Sequence, residues 1–99
     1  MTQVEINNPA HPGEIVLEDV LPHFGLSISD AAQVLNITRP NLSNVLNGKA
    51  AMSPELAAKI ERAFGVSAEL LLQMMANWSL FRVRTTEDVQ AIHRQPEPA

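Results

Sequence analysis

The chain has 99 residues, 45% of them hydrophobic and 18% charged, which suits one globular domain and argues against wholesale disorder. It contains no cysteine, which excludes a disulfide framework and thiolate chemistry. Its net charge of −4 by itself counts against a nucleic-acid binder. We do not expect the segment from Met1 to Pro9 to be a signal peptide, because it contains Glu5 and no basic residue before a later apolar run. No apolar run approaches the roughly 20 residues that span a bilayer. We therefore expect a soluble cytoplasmic protein.

The first predicted elements are a flexible arm and a helix. Residues 1–10 are polar and contain Asn7-Asn8-Pro9, which is typical of an unstructured arm. His11-Pro12-Gly13-Glu14 resembles a helix start, because proline is tolerated in the first helical turn. An apolar face continues to Leu21. Pro22 cannot continue a regular helix, and Gly25 follows as a stop.

Two short helices follow, over residues 28–35 and 38–46. Ser27 is predicted to cap the first helix, with Asp30 as its capping-box partner. Asn36 is expected to end it, because asparagine tolerates the left-handed conformation that a tight turn requires. Two helices this close must cross steeply, as in a helix-turn-helix whose second helix enters the major groove of DNA. The alternative is a small α-domain with a short corner between two helices.

Helical spacing continues in the second half of the chain. Ser53 is predicted to cap a fourth helix that ends at Gly65, and the four glycines of the chain are interpreted as helix punctuation. A fifth helix is predicted from Ala68 to about Phe81. Residues 85–99 form a short tail, in which Thr85-Thr86-Glu87-Asp88 could cap a brief helix to His93. No segment alternates with the period of a β-strand, so the sequence predicts five short helices and an all-α fold.

A family resemblance is carried by motifs along most of the chain. Residues 27–49, SISDAAQVLNITRPNLSNVLNGK, resemble the helix-turn-helix of the phage-repressor-like (Xre) family. Three further motifs make the chain similar to HigA-type antitoxins: HPGEI at 11–15, LSNVLNGKAAMSPELAAKIERAFG at 42–65 and SAELLLQMMANWSLF at 67–81. The resemblance covers about residues 11–81. One departure is Pro40, where relatives usually carry a polar side chain.

The resemblance implies a five-helix, lambda-repressor-like domain over residues 11–84 that forms dimers. It also implies a transcriptional repressor of its own operon that binds double-stranded operator DNA. The same protein would act as the antitoxin of a type II toxin–antitoxin system and neutralise a HigB-like mRNase by direct contact. Two alternatives remain open, namely a stand-alone repressor without a toxin and a protein-interaction module that has lost DNA binding.

The outer face of the second helix-turn-helix helix holds the expected base contacts. Arginine can donate two hydrogen bonds to guanine and asparagine can pair with adenine, while serine can serve either base. A proline ring can touch a thymine methyl group. The alternative is that these are ordinary solvated side chains. The expected base contacts are Arg39, Pro40, Ser43 and Asn44.

The expected phosphate contacts surround this face. The backbone N–H groups of Ile28 and Ser29 lie at a helix N-terminus, which favours an anion. The resemblance implies further contacts at Gln33, Thr38, Asn47 and Lys49. Residues 1–38 contain no lysine or arginine, whereas residues 39–62 contain four basic and two acidic residues. The basic residues are therefore concentrated where DNA is expected, and a dimer would double their phosphate contacts.

The fifth predicted helix is too apolar for a single buried stripe. Monomers rarely expose such a surface, so we expect part of it to form a dimer interface. The alternative is that all its apolar side chains serve the core of the domain. The expected dimer contacts are Leu71, Met74, Met75, Trp78 and Phe81.

Enzymatic sites are not expected. The three histidines lie far apart in sequence, and none has an Asp, Glu or Cys at the spacing of metal ligands. Neither a metal nor a cofactor is therefore predicted. Glu18 and Asp19 point to different sides of a helix and do not form an acid–base pair. The serines at 27, 53 and 67 are explained as helix caps, so none of them needs to be a nucleophile. The acidic helix 13–21, or the arm before it, could suit a basic protein partner.

Overall fold

The computed structural model describes residues 8–98, and these form six helices and no strand. The predicted arm, residues 1–10, therefore lies mostly outside the described residues. The first helix, α1, combines the segments Pro12–Ile15, Val16–Val20 and Leu21–Phe24. The others are α2 (Ile28–Leu35), α3 (Arg39–Leu46), α4 (Pro54–Phe64), α5 (Ala68–Arg84) and α6 (Glu87–Gln90). The all-α prediction is confirmed.

Helix α1 passes through Pro22, contrary to the expectation that this residue ends it. The preceding segment Val16–Val20 is a π-helix, in which the Leu21 N–H donates to the carbonyl of Val16, five residues back. A regular α-helix would bring the proline ring against the carbonyl four residues before it, and the wider π turn relieves that clash. Gly25 ends the helix as expected, with a φ of 68°.

The turn between α2 and α3 forms as predicted. The Ser27 hydroxyl accepts from the Asp30 N–H at 3.0 Å, and both halves of the capping box are present. Asn36 takes the left-handed conformation with a φ of 56°. The Ile37 N–H then donates to the Ala32 carbonyl at 3.0 Å, which closes the end of α2. Local hydrogen bonds thus set the direction in which α3 leaves the turn.

The later helices follow their caps, with two differences at the end of the chain. Ser53 and Ser67 cap α4 and α5 through their side chains, and Gly65 ends α4 with a φ of 78°. Helix α5 runs three residues past the expected Phe81 to Arg84, because nothing in this stretch breaks a helix. Helix α6 is a single turn, and ends before the expected His93.

One apolar core joins the first five helices. Helix α1 packs against α3 and α5, while α4 lies against α2 and α5. The core residues share relative exposures of 7% or less. They are Val16, Leu21, Ala31, Ala32, Leu35, Leu42, Val45, Leu46, Met52, Leu56, Ala57, Ile60, Leu71 and Met75. Three core residues come from α3, so the helix that faces outward with its polar side is anchored by its apolar side.

Gly13 has a packing role beyond helix punctuation. A Cβ atom on Gly13 would lie 2.2 Å from the carbonyl oxygen of Val45 and 2.8 Å from the Cα of Leu46. Both are backbone atoms of α3, so they cannot rotate away. The start of α1 therefore touches the backbone of α3 directly, and only glycine permits this approach.

His11 is the buried N-cap of α1. Its Nδ1 accepts from the Gly13 N–H at 2.9 Å, and its Nε2 lies 3.0 Å from the carbonyl oxygen of Ala50. These partners require the neutral ring with its proton on Nε2. The ring also meets Trp78 edge-on, with 4.8 Å between the ring centroids. His11 thus ties α1 to α5 and to the loop after α3.

Candidate nucleic-acid interface

Helix α3 presents one apolar and one polar side. Leu42, Val45 and Leu46 are buried in the core. The Thr38 hydroxyl accepts from the Asn41 N–H at 3.3 Å and starts the helix. At the other end, the N–H groups of Gly48 and Lys49 donate to the carbonyls of Val45 and Asn44, at 3.1 and 2.8 Å. Both ends are closed by local bonds, so the outer face of α3 is held on a short, rigid element.

The four expected base-contacting residues lie on this outer side. Arg39, Pro40 and Asn44 are exposed, and Ser43 is half-buried. Pro40 and Asn44 lie opposite the buried Leu42, and Ser43 lies beside them, as the helical period of 3.6 residues requires. Arg39 precedes Leu42 by three residues and is exposed at the first residue of the helix. The helix thus presents a guanidinium, a hydroxyl and a carboxamide together.

Arg39 is held by a residue of the neighbouring helix. Its Nε donates to the hydroxyl of Ser29 at 2.9 Å, which links the first turns of α3 and α2. From the sequence, Ser29 was expected to contact phosphate through its backbone and Arg39 to contact a base. The structure brings these two residues together, and the side-chain bond between them was not foreseen. The short spacing between the two helices was the only signal that could have suggested it.

Asn47 turns its side chain back onto α3. Its Nδ2 donates to the carbonyl of Ser43 at 2.8 Å and lies 3.3 Å from the Ser43 hydroxyl. The side chain of Asn47 thus adds a second donor to the Ser43 carbonyl, which already accepts from the Asn47 backbone N–H at 3.0 Å, and the amide donors of Asn47 are engaged. Because the Ser43 hydroxyl accepts from Asn47, its own proton remains free to point outward.

The other expected phosphate contacts surround the same side. Ile28 is half-buried, whereas Ser29, Gln33, Thr38 and Lys49 are exposed. The N–H groups of Ile28 and Ser29 are in the first turn of α2, where an α-helix supplies no partner for them. They are therefore available to an anion.

Two of the five dimer contacts expected on helix α5 are corrected by their burial in the structure. Leu71 is 0% exposed and Met75 is 7% exposed, because both pack in the core of this chain. They cannot reach a second subunit while the fold is intact. Met74, Trp78 and Phe81 are half-buried. The helical period alone assigns too many apolar residues of α5 to a dimer contact. It does not distinguish the residues that face the other helices of the same chain from those that face outward.

Trp78 serves contacts within the chain. It meets the ring of His11, and the guanidinium carbon of Arg82 lies 4.6 Å from the centroid of the indole ring. Sequence reasoning missed the role of His11. The available signal was its place before Pro12-Gly13, where a side-chain acceptor caps a helix.

Residues 8–98 offer neither a metal site nor a membrane span. In this stretch no three His, Cys, Asp or Glu side chains converge in a way that could hold a metal ion. None of the helices in the same stretch combines the length and the apolar content needed to cross a membrane.

Comparison with known proteins gives consistent matches. The helix-turn-helix family HTH_3 matches residues 21–71. Virulence-associated protein A of Dichelobacter nodosus is 40% identical over 80 residues, which cover 80% of this chain and 78% of that protein. The uncharacterized HTH-type transcriptional regulator YddM of Escherichia coli K12 is 32% identical over 91 residues, covering 92% and 96%. The Pseudomonas aeruginosa antitoxin HigA, solved with the higBA promoter, is 25% identical with a TM-score of 0.78, covering 89% and 96%.

Proposed function

The chain belongs to the helix-turn-helix family of DNA-binding regulators, and from this premise we propose that it represses its own operon and neutralises a HigB-like mRNase toxin. Residues 11–84 would form the DNA-binding and dimerisation domain, with residues 85–99 as a tail. The observation that carries the proposal is the outer face of α3, which presents Arg39, Ser43 and Asn44 from a helix closed at both ends.

Base recognition would use the hydrogen-bond donors of this face. Arg39 retains the donors of both its Nη atoms, since only Nε is bonded to Ser29. They can reach O6 and N7 of guanine. The free proton of Ser43 suits a base acceptor, and Asn44 can pair with N6 and N7 of adenine. Each good bidentate pair discriminates between bases by roughly 1–3 kcal/mol.

Affinity would come from phosphate contacts around the face. The exposed ammonium of Lys49 and the free N–H groups of Ile28 and Ser29 are the strongest of these groups. The net charge of −4 makes a single copy a weak DNA binder. Two copies would double the cations that face the phosphates, which supports a dimer.

We place the dimer contact on one flank of α5. Leu70, Met74 and Phe81 are spaced by four and seven residues, so they share a side of the helix that lies beside the core stripe. Leu70 is 53% exposed, and the other two are half-buried. A two-fold axis through this flank would present two α3 helices to half-sites roughly 34–36 Å apart.

The antitoxin part of the proposal is supported by the similarity to HigA and by the charge of α1. Glu14, Glu18 and Asp19 are exposed on α1, and within residues 8–98 none of them has a cationic side chain within salt-bridge distance. A toxin that cleaves mRNA must bind phosphates and therefore carries basic residues. Carboxylates on the antitoxin would suit that surface. The second candidate function is a stand-alone repressor without a toxin. The similarity to YddM, an uncharacterized HTH-type transcriptional regulator, supports the regulator function that both candidates share.

The DNA-binding proposal is tested with the DNA upstream of the gene. We expect the protein to bind one site there more tightly than a scrambled duplex, and the affinity to fall as salt rises. Arg39→Ala should reduce the preference for that site, because Ser43 and Asn44 keep their base contacts. Equal binding of both duplexes by the unmodified protein would refute the repressor function.

The antitoxin proposal needs a separate test. The protein is co-expressed with the product of the gene beside its own, and growth and co-purification are measured. Rescue of growth together with a stable complex supports the antitoxin. Operator binding without rescue and without a complex favours the stand-alone repressor.

A further inference from the structure

The hydrogen bond between Arg39 and Ser29 gives Ser29 a role beyond a backbone contact. The bond spans the turn between α2 and α3 and measures 2.9 Å. Both residues are exposed, so neither needs this bond to satisfy a buried polar group. Ser29 also does not cap α2, because Ser27 holds that position. The hydroxyl of Ser29 therefore has no other partner among the residues that the structure describes.

This bond restricts the guanidinium of Arg39. An arginine side chain is long and flexible, and without a partner it samples many orientations. The guanidinium is planar, so a hydrogen bond at Nε limits the directions that its two Nη atoms can take. With Nε bonded to Ser29, a bidentate contact with guanine needs both Nη atoms at once in the plane of the base. Ser29 thus prepares the geometry that the contact needs.

A competing partner makes this restraint matter. In a complex with DNA, a free Arg39 can swing to a phosphate, which carries no sequence information. The hydroxyl of Ser29 is neutral, so it orients Arg39 without neutralising its charge.

We propose that Ser29 is a positioning residue that orients the Arg39 guanidinium toward a guanine of the operator. This inference rests on the proposed operator binding. Ser29 acts through Arg39, so its effect is confined to the base pair that Arg39 reads. Its backbone N–H keeps the separate, sequence-independent contact with phosphate.

The test first locates the base pair that Arg39 contacts. Each guanine of the bound site is replaced in turn, and the position at which Arg39→Ala no longer distinguishes the two duplexes is the one it reads. Dissociation constants are then measured for Ser29→Ala and Ser29→Thr on the natural duplex, on the duplex changed at that position and on a scrambled duplex.

We expect Ser29→Ala to lower discrimination at that position by about threefold to tenfold, the range of one lost hydrogen bond. Its affinity for scrambled DNA and its melting temperature should stay unchanged. Ser29→Thr keeps the hydroxyl and should restore most of the discrimination. The double variant Ser29→Ala/Arg39→Ala should discriminate no worse than Arg39→Ala alone, because both changes remove the same contact.

Several results would overturn the inference. Additive losses in the double variant would mean that Ser29 acts without Arg39. A loss of equal size on all three duplexes would make Ser29 a phosphate contact only, and unchanged discrimination in Ser29→Ala would make the bond irrelevant to recognition. In each of these cases the unmodified protein still prefers its operator. Failure of the proposed function differs, because the unmodified protein then shows no preference.

Discussion

The direct contact between α1 and α3 predicts that Gly13→Ala destabilises the protein. A Cβ at residue 13 would lie 2.2 Å from the carbonyl oxygen of Val45, whereas ordinary contacts begin near 3.4 Å. The start of α1 must therefore move away from α3 by about 1 Å, which loosens the contacts behind it. All three nearest atoms belong to the backbone of α3, so no rotamer change relieves the clash.

The expected magnitude combines two opposing effects. Overpacking against a rigid neighbour costs up to about 3 kcal/mol, and the better helix propensity of alanine returns about 1 kcal/mol. The net loss of about 2 kcal/mol corresponds to a fall in melting temperature of about 8–16 °C for a domain of this size. Far-UV circular dichroism and the fluorescence of Trp78, the only tryptophan, report the transition. Protein concentration is kept constant because self-association shifts the apparent stability.

A matched control separates this clash from backbone strain. Gly65 has a φ of 78°, and a Cβ on this residue would meet no packed neighbour within 4 Å, so Gly65→Ala suffers from conformation alone. Gly65→Asn should recover part of that loss, because asparagine tolerates the left-handed region. Gly13→Asn should be worse than Gly13→Ala. A melting temperature for Gly13→Ala at or above that of the unmodified protein would refute the close approach of α1 and α3.

Three further predictions concern DNA binding, self-association and the helix-turn-helix turn. Lys49→Ala should weaken binding to operator and to scrambled DNA equally. The slope of log K against log salt should become shallower by about 0.9 for each lysine removed. A loss of affinity for the operator alone would contradict a phosphate contact. If the proposed dimer forms through the flank of α5, Phe81→Ser should shift it toward monomer in analytical ultracentrifugation. Trp78→Ala should chiefly lower the free energy of unfolding, by about 2 kcal/mol, because the indole packs on His11. The reverse pattern would exclude the proposed flank of α5. Asn36→Val should lower the free energy of unfolding by about 1–2 kcal/mol, because valine tolerates the φ of 56° poorly, whereas Asn36→Gly should not destabilise the fold. Thermal unfolding measures both variants. Equal effects of the two changes would argue against the left-handed turn.

The outer face of α3 could be predicted because it follows from helical period and local caps. Once Leu42 and Val45 are assigned to the core, the helical period places Pro40 and Asn44 on the opposite side of α3. The orientation of Arg39 could not be predicted in this way. It depends on the hydroxyl of Ser29, which lies ten residues away on another helix.

The expected dimer contacts on α5 show where helical periodicity stops being informative. Leu71 and Met75 belong to the same apolar helix as Phe81, and hydrophobicity does not distinguish them. The packing of α5 against α1 and α4 decides that Leu71 and Met75 are buried.

The course of α1 past Pro22 also differs from its local signal. Proline is a local signal for helix termination, but the π turn of α1 carries the helix past Pro22.

Taken alone, the amino-acid order determined where most helices start and stop, because a cap such as Ser27 or a left-handed residue such as Asn36 acts through bonds to neighbours along the chain. The tertiary structure alone decided how the helices meet. Gly13 beside Val45 and His11 beside Trp78 are far apart along the chain, and only packing brings them into contact. Local bonds can be inferred from a few consecutive residues, whereas these contacts depend on the whole core.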